Sequence, residues 1–533
     1  ERIKKSTPPS LMHKSFLERI TPAHTDDFSS LTHCDWIIEA VIEDVDIKKH
    51  LYKKIHDQCQ HAIVSSNTST IPLEKLIEGM PVSFQQRFFI THFFNPPRYM
   101  RLLEMVKGPQ TDPVIYETLC QFAQKYLGKT LVECNDTPGF IANRMGLFWM
   151  QYAFKKAMDY GMTVEEVDGL MQALGCPKTG VFGLMDLVGL DLIPLMGQSL
   201  MKALPSSDLY HQAHVEPEFL SQIMAKGYTG RKGKGGFYRI NNTQKESLNL
   251  QTGKYEPLKP YPVGAQNLKE LFEGPRGPYI SDVMGTVLWY AAFLYDKVSD
   301  SIHAIDTAMK LGYNWTYGPF ELMDQIGLSF LKTLWKKADL PPPPVAQGST
   351  FYTLDHKTLM MATSHQPRPI PRKGQLLLSD IKRTTSPLMQ NASAALWNVG
   401  EGVACFEITT KMNTIDASVL TSLRQALDIT HQHHKAMVIY NEVPHFSAGA
   451  NLNHILECIK KKSWSLLNDF IILGQETYQA LKYAPFPVVG APSGMALGGG
   501  WELLLHCDAI QAHSELYGGL VEVKAGLIPA WGG

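Results

Sequence analysis

Three observations predict an α/β domain, then a duplicated all-helical region, then a second α/β domain of another kind. Between Asp35 and Gly108, short apolar runs alternate with helix-period segments, the rhythm of a doubly wound sheet. From Val167, a set of residues recurs 138 positions later. After Ser386, strand-like runs return and frame a triple glycine, Gly498–Gly500.

The bulk composition bounds the class. A chain of 533 residues should hold three or four domains. Apolar content of 44% and charged content of 19% are those of a folded chain with a real core. A net charge of −1 argues against a nucleic-acid binder or a polybasic membrane protein, and no apolar run reaches spanning length. The eight cysteines are scattered without a CxxC, which favours a reducing, cytoplasmic setting over disulfides or zinc.

The elements follow in order. Ser10–Ile20 has a helical pattern. Asp35–Ile42 reads as a buried parallel strand closed by Glu43, and Asp46–Gln60 as a helix with lysines on one face. Ala62–Ser66 is a second strand ending in Ser-Asn-Thr-Ser, and Ile71–Met80 a second helix. Phe88–Ile90 is a third strand with His92 at its end. Pro96 and Pro97 force a turn, and Leu102–Val106 returns antiparallel, bringing Glu104 beside His92. A carboxylate on one imidazole nitrogen leaves the other free as a base, although a satisfied core histidine fits the same local pattern. Glu43, Ser69 and His92 all fall at carboxyl ends of strands, where ligands sit in such sheets.

No G-x-G-x-x-G precedes Glu43, so the loop that normally holds a dinucleotide pyrophosphate is missing from the sequence; the chain reads as starting partway into such a domain. Weak NAD binding is expected for that reason. Asp112–Leu127 is a helix and Thr130–Glu133 a strand. Asp136-Thr137-Pro138 is expected to cap a long apolar helix, with Asn143 one turn inside it.

The repeat begins next. Val167, Asp168 and Met171, with Gly180-Val-Phe-Gly-Leu-Met-Asp186 and Gly189, recur as Ile305, Asp306 and Met309, with Gly318-Pro-Phe-Glu-Leu-Met-Asp324 and Gly327. The second copy lacks a His–Glu pair, and packing is its expected role. Between the copies, Gly227–Tyr238 is glycine-rich and basic, a solvated turn on local grounds. Pro341–Pro344 and the polar stretch to Lys373 read as an extended interdomain linker. His431, His433 and His434 lack an acid or cysteine at ligand spacing, and no metal site is expected.

In the last region Val403–Ile408, Ala436–Tyr440 and Phe486–Ala491 read as strands and His445–Leu452 as a turn. The triple glycine opens a helix whose backbone amides a thioester carbonyl can approach closely, as in an oxyanion hole. Glu502 follows in its first turn and Glu522 lies 20 residues on. Two carboxyls there suit addition of water to an enoyl thioester if their environments separate their pKa values.

With these residues in hand, the chain resembles the fused fatty-acid β-oxidation enzymes that carry 3-hydroxyacyl-CoA dehydrogenase first and enoyl-CoA hydratase last. The motifs are SSNTST, THFFNPPRYMRLLE, DTPGFIANR and the two GxFxLMD copies for the first activity, and FSAGANL, ALGGGWE and VEVKAGLIPAWGG for the second. The resemblance implies a partial Rossmann-like domain over 1–135, two repeated all-α dehydrogenase C-terminal domains over 136–245 and 262–338, a linker over 339–385, and a partial crotonase-like spiral domain over 386–533.

It further implies that His92 is the base for the 3-hydroxyl, that Glu104 fixes and polarises it, and that Asn143 and Ser69 hold the substrate side. Glu43, Lys48, Ser69, Asn95 and Lys232 match positions that contact NAD, with Lys48 and Lys232 expected to be exposed. Ala450 and Gly499 match the oxyanion-hole donors, and Glu502 and Glu522 the acid–base pair. The choice of NAD over NADP rests on resemblance alone. Acyl-CoA thioesters are the implied substrates, with a thiolase partner or a homo-oligomer as the implied assembly. Two other readings stay open: a dehydrogenase whose last domain only docks acyl-CoA, and a scaffold without turnover.

Overall fold

The computed structural model describes residues 9–24, 27–263, 267–355, 358–361, 368–370 and 375–533. The chain forms two compact units, residues 1–353 with 360–368, and residues 354–359 with 369–533.

The first unit opens on a five-stranded sheet. Its strands are β1 (Trp36–Glu39), β2 (Ile63–Ser66), β3 (Phe88–Phe93), β4 (Leu102–Lys107) and β5 (Thr130–Glu133), adjacent in that order. β1, β2 and β3 run parallel, β3 and β4 antiparallel, β4 and β5 parallel. Helices α1 (Val45–Gln58) and α2 (Leu73–Ile77) make the crossovers, and α3 (Pro113–Lys125) connects β4 to β5. Asp44 caps α1 and Asp112 caps α3, each accepting two backbone amides. Five of the six residues in each of β3 and β4 are buried, and the buried side chains are apolar except for Thr91, His92 and Glu104. The Ser10–Ile20 segment forms only a short 3-10 turn, Lys14–Arg19.

Helix α4 (Ala142–Asp159) leads the first helical copy, followed by α5 (Val164–Ala173), α6 (Phe182–Val188) and α7 (Leu192–Ala203). A small antiparallel sheet of β6 (Tyr238–Asn241), β7 (Gln244–Leu248) and β8 (Tyr255–Pro257) follows. The second copy comprises α8 (Gly277–Leu294), α9 (Ile302–Gly312), α10 (Pro319–Ile326) and α11 (Leu328–Lys337). α4 and α8 pack together through a buried network: Arg144 Nε donates to Tyr290 Oη at 2.6 Å, Arg144 pairs with Asp208, and Tyr290 Oη donates to Asp208 at 2.7 Å.

The shared residues of the two copies have one architectural use. Asp168 accepts the Phe182 and Gly183 amides and the Tyr238 hydroxyl; Asp306 accepts the Phe320 and Glu321 amides and the Tyr352 hydroxyl. Asp186 accepts the Phe237 and Tyr238 amides as Asp324 accepts those of Phe351 and Tyr352. Each copy is thus closed by two acids, all buried except the half-buried Asp324, that satisfy the amides of a helix start and of a returning segment.

Two sequence expectations change here. Asp136 does not cap α4; it accepts the Leu73 and Glu74 amides of α2 instead. Pro138 lies outside the helix, and Asn143 is its second residue rather than one turn inside. The stretch read as an extended linker is tied down at Phe351 and Tyr352 by Asp324 and Asp306, because those acids need donors in each copy. Residues 356–357, 362–367 and 371–374 of that stretch lie outside the described residues.

The second unit is built on a six-stranded sheet. Its inner members are β9 (Ala394–Gly400), β10 (Val403–Ile408), β11 (Ala436–Ile439) and β12 (Val488–Gly490), antiparallel at β9–β10 and parallel after that. Helices α12 (Ala417–His433) and α13 (Trp464–Lys482) cover it around a core that includes Leu420, Tyr478, Val488 and Trp531. A second, two-stranded parallel sheet pairs β13 (Met495–Leu497) with β14 (Tyr517–Gly519), and α14 (Gly499–Leu505) starts directly after β13. Gly498 joins them at φ +51°, a left-handed conformation that glycine adopts without strain.

Candidate active sites

In the first unit the antiparallel return sets His92 directly opposite Glu104. His92 Nδ1–H donates to Glu104 Oε2 at 2.7 Å. The other carboxylate oxygen, Oε1, accepts the backbone amides of Ile141 at 3.1 Å and Ala142 at 2.7 Å. The start of α4 therefore holds Glu104, and its dipole favours the negative charge. With Nδ1 engaged, Nε2 is the free ring position, and Ser69 Oγ lies 3.1 Å from it. Both members are buried, and the Phe94 and Phe140 rings flank the imidazole at 4.6 and 5.6 Å. Asn143 is one residue beyond the amides that grip Glu104; its Oδ1 accepts from Tyr313 Oη at 3.4 Å. Tyr313 comes from the second helical copy.

Ser69 is itself held by Glu43. Glu43 Oε1 accepts the Thr68 hydroxyl at 2.5 Å and the Ser69 and Thr70 amides at 3.1 and 3.2 Å. Burial raises the Glu43 pKa, but the Thr68 hydroxyl, the Lys48 charge and these amides together bring it below the usual carboxylate value. Its Oε2 has Lys48 at 3.4 Å, and the side chain remains 37% exposed.

Lys48 is corrected from an exposed to a buried position. Its side chain is 1% exposed, donates to Glu39 Oε1 at 2.7 Å and to the Val41 carbonyl, and lies beside Glu43. Glu39 also accepts Tyr52 Oη and Ser66 Oγ, so Lys48 balances a buried acid that needs it. Asn95 is exposed on the turn after β3. Lys232 is 48% exposed and pairs with Asp191 at 2.7 Å, not with the His92 cluster. The glycines of its loop have a structural reason. A Cβ at Gly236 would meet Asp186 Oδ1 at 1.9 Å, and one at Gly230 the Asp186 carbonyl oxygen at 2.3 Å.

In the second unit, the Ala450 and Gly499 amides stand side by side. A Cβ placed on Gly499 would be 3.4 Å from Ala450 N, and one on Gly449 would be 3.4 Å from Gly499 N. Neither amide has a hydrogen-bond partner among the described residues. Three of the four neighbouring amides are engaged: Gly449 N donates to Ser447 Oγ, Asn451 N to the Ile415 carbonyl, and Gly498 N to the Gly519 carbonyl. Ala450 N and Gly499 N are thus two adjacent, unspent donors next to two acids.

Glu502 Oε1 accepts the Trp531 amide at 2.8 Å and the Gly533 amide at 3.1 Å. Burial raises its pKa, partly opposed by those amides and reinforced by the nearby Glu522 charge. Glu522 begins a 3-10 turn, Glu522–Ala525; its Oε1 lies 3.0 Å from where a Gly498 side chain would start, and its Oε2 is buried without a partner.

Sequence reasoning missed Tyr313, the two amides at the start of α4, and the Glu39 cluster. Signals existed for two of them. Tyr313 stands where the repeat places Gly175, and Glu39 is an acid inside the apolar run WIIEAVI.

Comparison with known proteins gives a consistent set of matches. Residues 3–137 match the NAD binding domain of 3-hydroxyacyl-CoA dehydrogenase, residues 139–240 and 279–353 its C-terminal domain, and residues 399–533 the enoyl-CoA hydratase/isomerase family. A Rickettsia felis protein, provisionally named a fatty acid oxidation complex trifunctional enzyme, is 38% identical over all of this chain and 73% of its own length. A Rickettsia prowazekii protein of the same name is 36% identical over 95% of this chain and 70% of its own. A Bacillus subtilis protein, provisionally named a 3-hydroxyacyl-CoA dehydrogenase, is 34% identical over all of this chain and 70% of its own length.

Proposed function

Because the chain belongs to the family of fused 3-hydroxyacyl-CoA dehydrogenases and enoyl-CoA hydratases of fatty acid oxidation, we propose the following division of labour among its residues. His92 Nε2 takes the proton of the substrate 3-hydroxyl. Glu104 holds Nδ1–H, fixes the tautomer and offsets the imidazolium charge that forms. Ser69 and Asn143 orient the hydroxyl and the thioester side of the substrate. The observation that carries this reading is the His92–Glu104 pair, locked by register on one side and by two amides on the other.

NAD is the family's cofactor, and the strand-end residues fit its sugar side: Glu43 carries a partly exposed carboxylate, an acceptor suited to a ribose hydroxyl. When bound, NAD accepts the hydride released from C3. Glu43, Ser69 and Asn95 are the residues we assign to holding it, with Lys48 acting through Glu43 and Lys232 attracting its charge.

In the second unit, Ala450 N and Gly499 N donate to the thioester oxygen, where negative charge builds up as water adds to the enoyl group. Glu502 and Glu522 share the acid–base work: one orients water, the other delivers a proton to the α-carbon. The two unspent amides beside two acids favour turnover over a docking role.

Acyl-CoA thioesters are the substrates this family implies, and we extend the proposal to a thiolase partner or a homo-oligomer and to a cytoplasmic location. Among the described residues no single helix is long and apolar enough to cross a membrane.

The test is separability. His92→Ala should lower 3-hydroxyacyl-CoA oxidation by about 10²–10⁴-fold and spare enoyl hydration. Glu502→Gln and Glu522→Gln should do the reverse. A loss below tenfold for His92→Ala rejects the base assignment. Wild-type protein that hydrates no enoyl-CoA of any chain length establishes the docking reading instead.

A further inference from the structure

The first helical copy carries a groove that the proposed chemistry does not use. It has a volume of about 640 Å³ and runs from α5 and α6 across the Gly230–Gly235 loop to β6 and β7. Five cations line it, Lys178, Arg231, Lys234, Arg239 and Lys245. Arg239 is fixed by Glu246 Oε2 at 2.6 Å and lies over the Tyr255 ring at 3.7 Å. Lys234 Nζ reaches only the Lys226 carbonyl. Lys178, Arg231 and Lys245 are exposed; the Arg231 charge acts on Asp186, while Lys178 and Lys245 have no hydrogen-bond or ion-pair partner among the described residues.

The three carboxylates of the groove are already occupied. Asp168 and Asp186 accept the backbone amides described above, and Glu246 is taken by Arg239 and Asn241. Positive charge is therefore left in excess, facing a concave surface.

The duplication supplies an internal control. Position for position, Gly183 corresponds to Glu321, Gln172 to Lys310 and Lys178 to Thr316. In the second copy, Glu321 accepts from Lys310 Nζ at 2.5 Å, and that ion pair occupies the place where the first copy has a glycine and an uncharged glutamine. Gly183 is not demanded by its backbone or by crowding: an added Cβ would meet Thr179 at 3.5 Å and Asp168 at 3.6 Å, ordinary contacts. Its effect is to leave space. One copy of the same fold is closed by an internal ion pair, and the other is open and basic.

We propose that this groove is an anion site, separate from the His92 cluster, that takes a small molecule bearing phosphate groups. A phosphate or diphosphate would meet Lys178, Arg231 and Lys245 as charge-assisted donors. The shared chemistry is the phosphate, whether free or at the nucleotide end of a larger molecule.

The experiment is isothermal titration of the full chain with inorganic pyrophosphate and, separately, with adenosine 3′,5′-bisphosphate at low ionic strength. Two variants are compared with the wild type: Gly183→Glu, which installs the second copy's residue, and Lys178→Ala/Lys245→Ala. Each should weaken one binding component by at least tenfold while kcat/KM for 3-hydroxyacyl-CoA oxidation stays unchanged. The same component should weaken as salt rises, since its cations are exposed. Binding of both probes identifies the phosphate itself as the ligand chemistry; binding of the bisphosphate alone identifies a nucleotide end. Superimposable isotherms for all three proteins, or no binding of either probe to the wild type, overturn the proposal. If Gly183→Glu lowers the melting temperature, the double surface variant decides alone.

Discussion

At the scale of single residues, Glu104 is constrained on both oxygens, and that decides what a glutamine would do there. Oε1 must accept two backbone amides, so the carboxamide oxygen of Glu104→Gln would take that side. Its NH₂ would then face His92 Nδ1 and force the proton onto Nε2, the atom that we propose as base. The expected outcome is a loss of dehydrogenation of about 10²–10⁴-fold despite near-isosteric replacement, with hydration intact. A kcat/KM within tenfold of wild type would show that the tautomer is set by something else. Lys48 allows a second test. It balances Glu39 inside the sheet, where the pair is 1% and 0% exposed. Lys48→Met should therefore cost about 3–5 kcal/mol of folding stability. A direct cofactor contact would instead weaken NADH binding and leave the denaturation midpoint where it is, and urea unfolding separates the two.

At the scale of elements, the paired acids that close each helical copy make stability depend on pH. Burial raises Asp168 to about 7 and Asp306 to about 8, against the pull of the amides and tyrosine hydroxyls that they accept. A carboxyl whose folded pKa is above its unfolded value binds its proton more tightly when folded. Its contribution is fully present below about pH 4 and is lost as pH rises through about 7–8. Melting temperature should fall across that window, and Asp168→Asn with Asp306→Asn should flatten the fall. An unchanged slope in the double variant would place the titration elsewhere.

Much of this was legible in the sequence, because the signals were local. The β3–turn–β4 return follows from two prolines between apolar runs, and the constant repeat offset marks the copies without any contact information. What was not legible depended on distant partners. Asp136-Thr-Pro carries the local signature of a helix cap, yet the amides that reach Asp136 belong to α2, more than sixty residues earlier in the chain. Lys48 sits on a helix whose Lys53 and Lys54 are exposed, and only the buried Glu39 opposite explains its burial. The proline run before Phe351 suggested a free linker, but the Asp306 and Asp324 caps call for the segment to fold back.

At the scale of the whole molecule, the duplication links a packing contact to the His92–Glu104 cluster. Tyr313 of the second copy lies against Gly146 of α4, where a Cβ would meet its ring carbon Cζ at 1.9 Å, and its hydroxyl reaches Asn143. Gly146 is thus a glycine because the other copy's tyrosine needs the space, and both residues are buried. Gly146→Ala should overpack this contact and cost about 1–3 kcal/mol. It should also lower dehydrogenation, because displaced Tyr313 releases Asn143 next to the amides that hold Glu104. Tyr313→Ala alone leaves a cavity and loses the hydroxyl, and should be destabilising by about 3–5 kcal/mol. The pair is coupled, so the double variant Gly146→Ala/Tyr313→Ala should be more stable than the sum of the single losses predicts, by a measurable interaction energy of about 0.5–3 kcal/mol. Hydration, carried by the other unit, serves as the internal reference for protein quality in every variant. Strict additivity in chemical denaturation, with dehydrogenation unaffected by Gly146→Ala, would mean that the second copy supports the first without touching its chemistry.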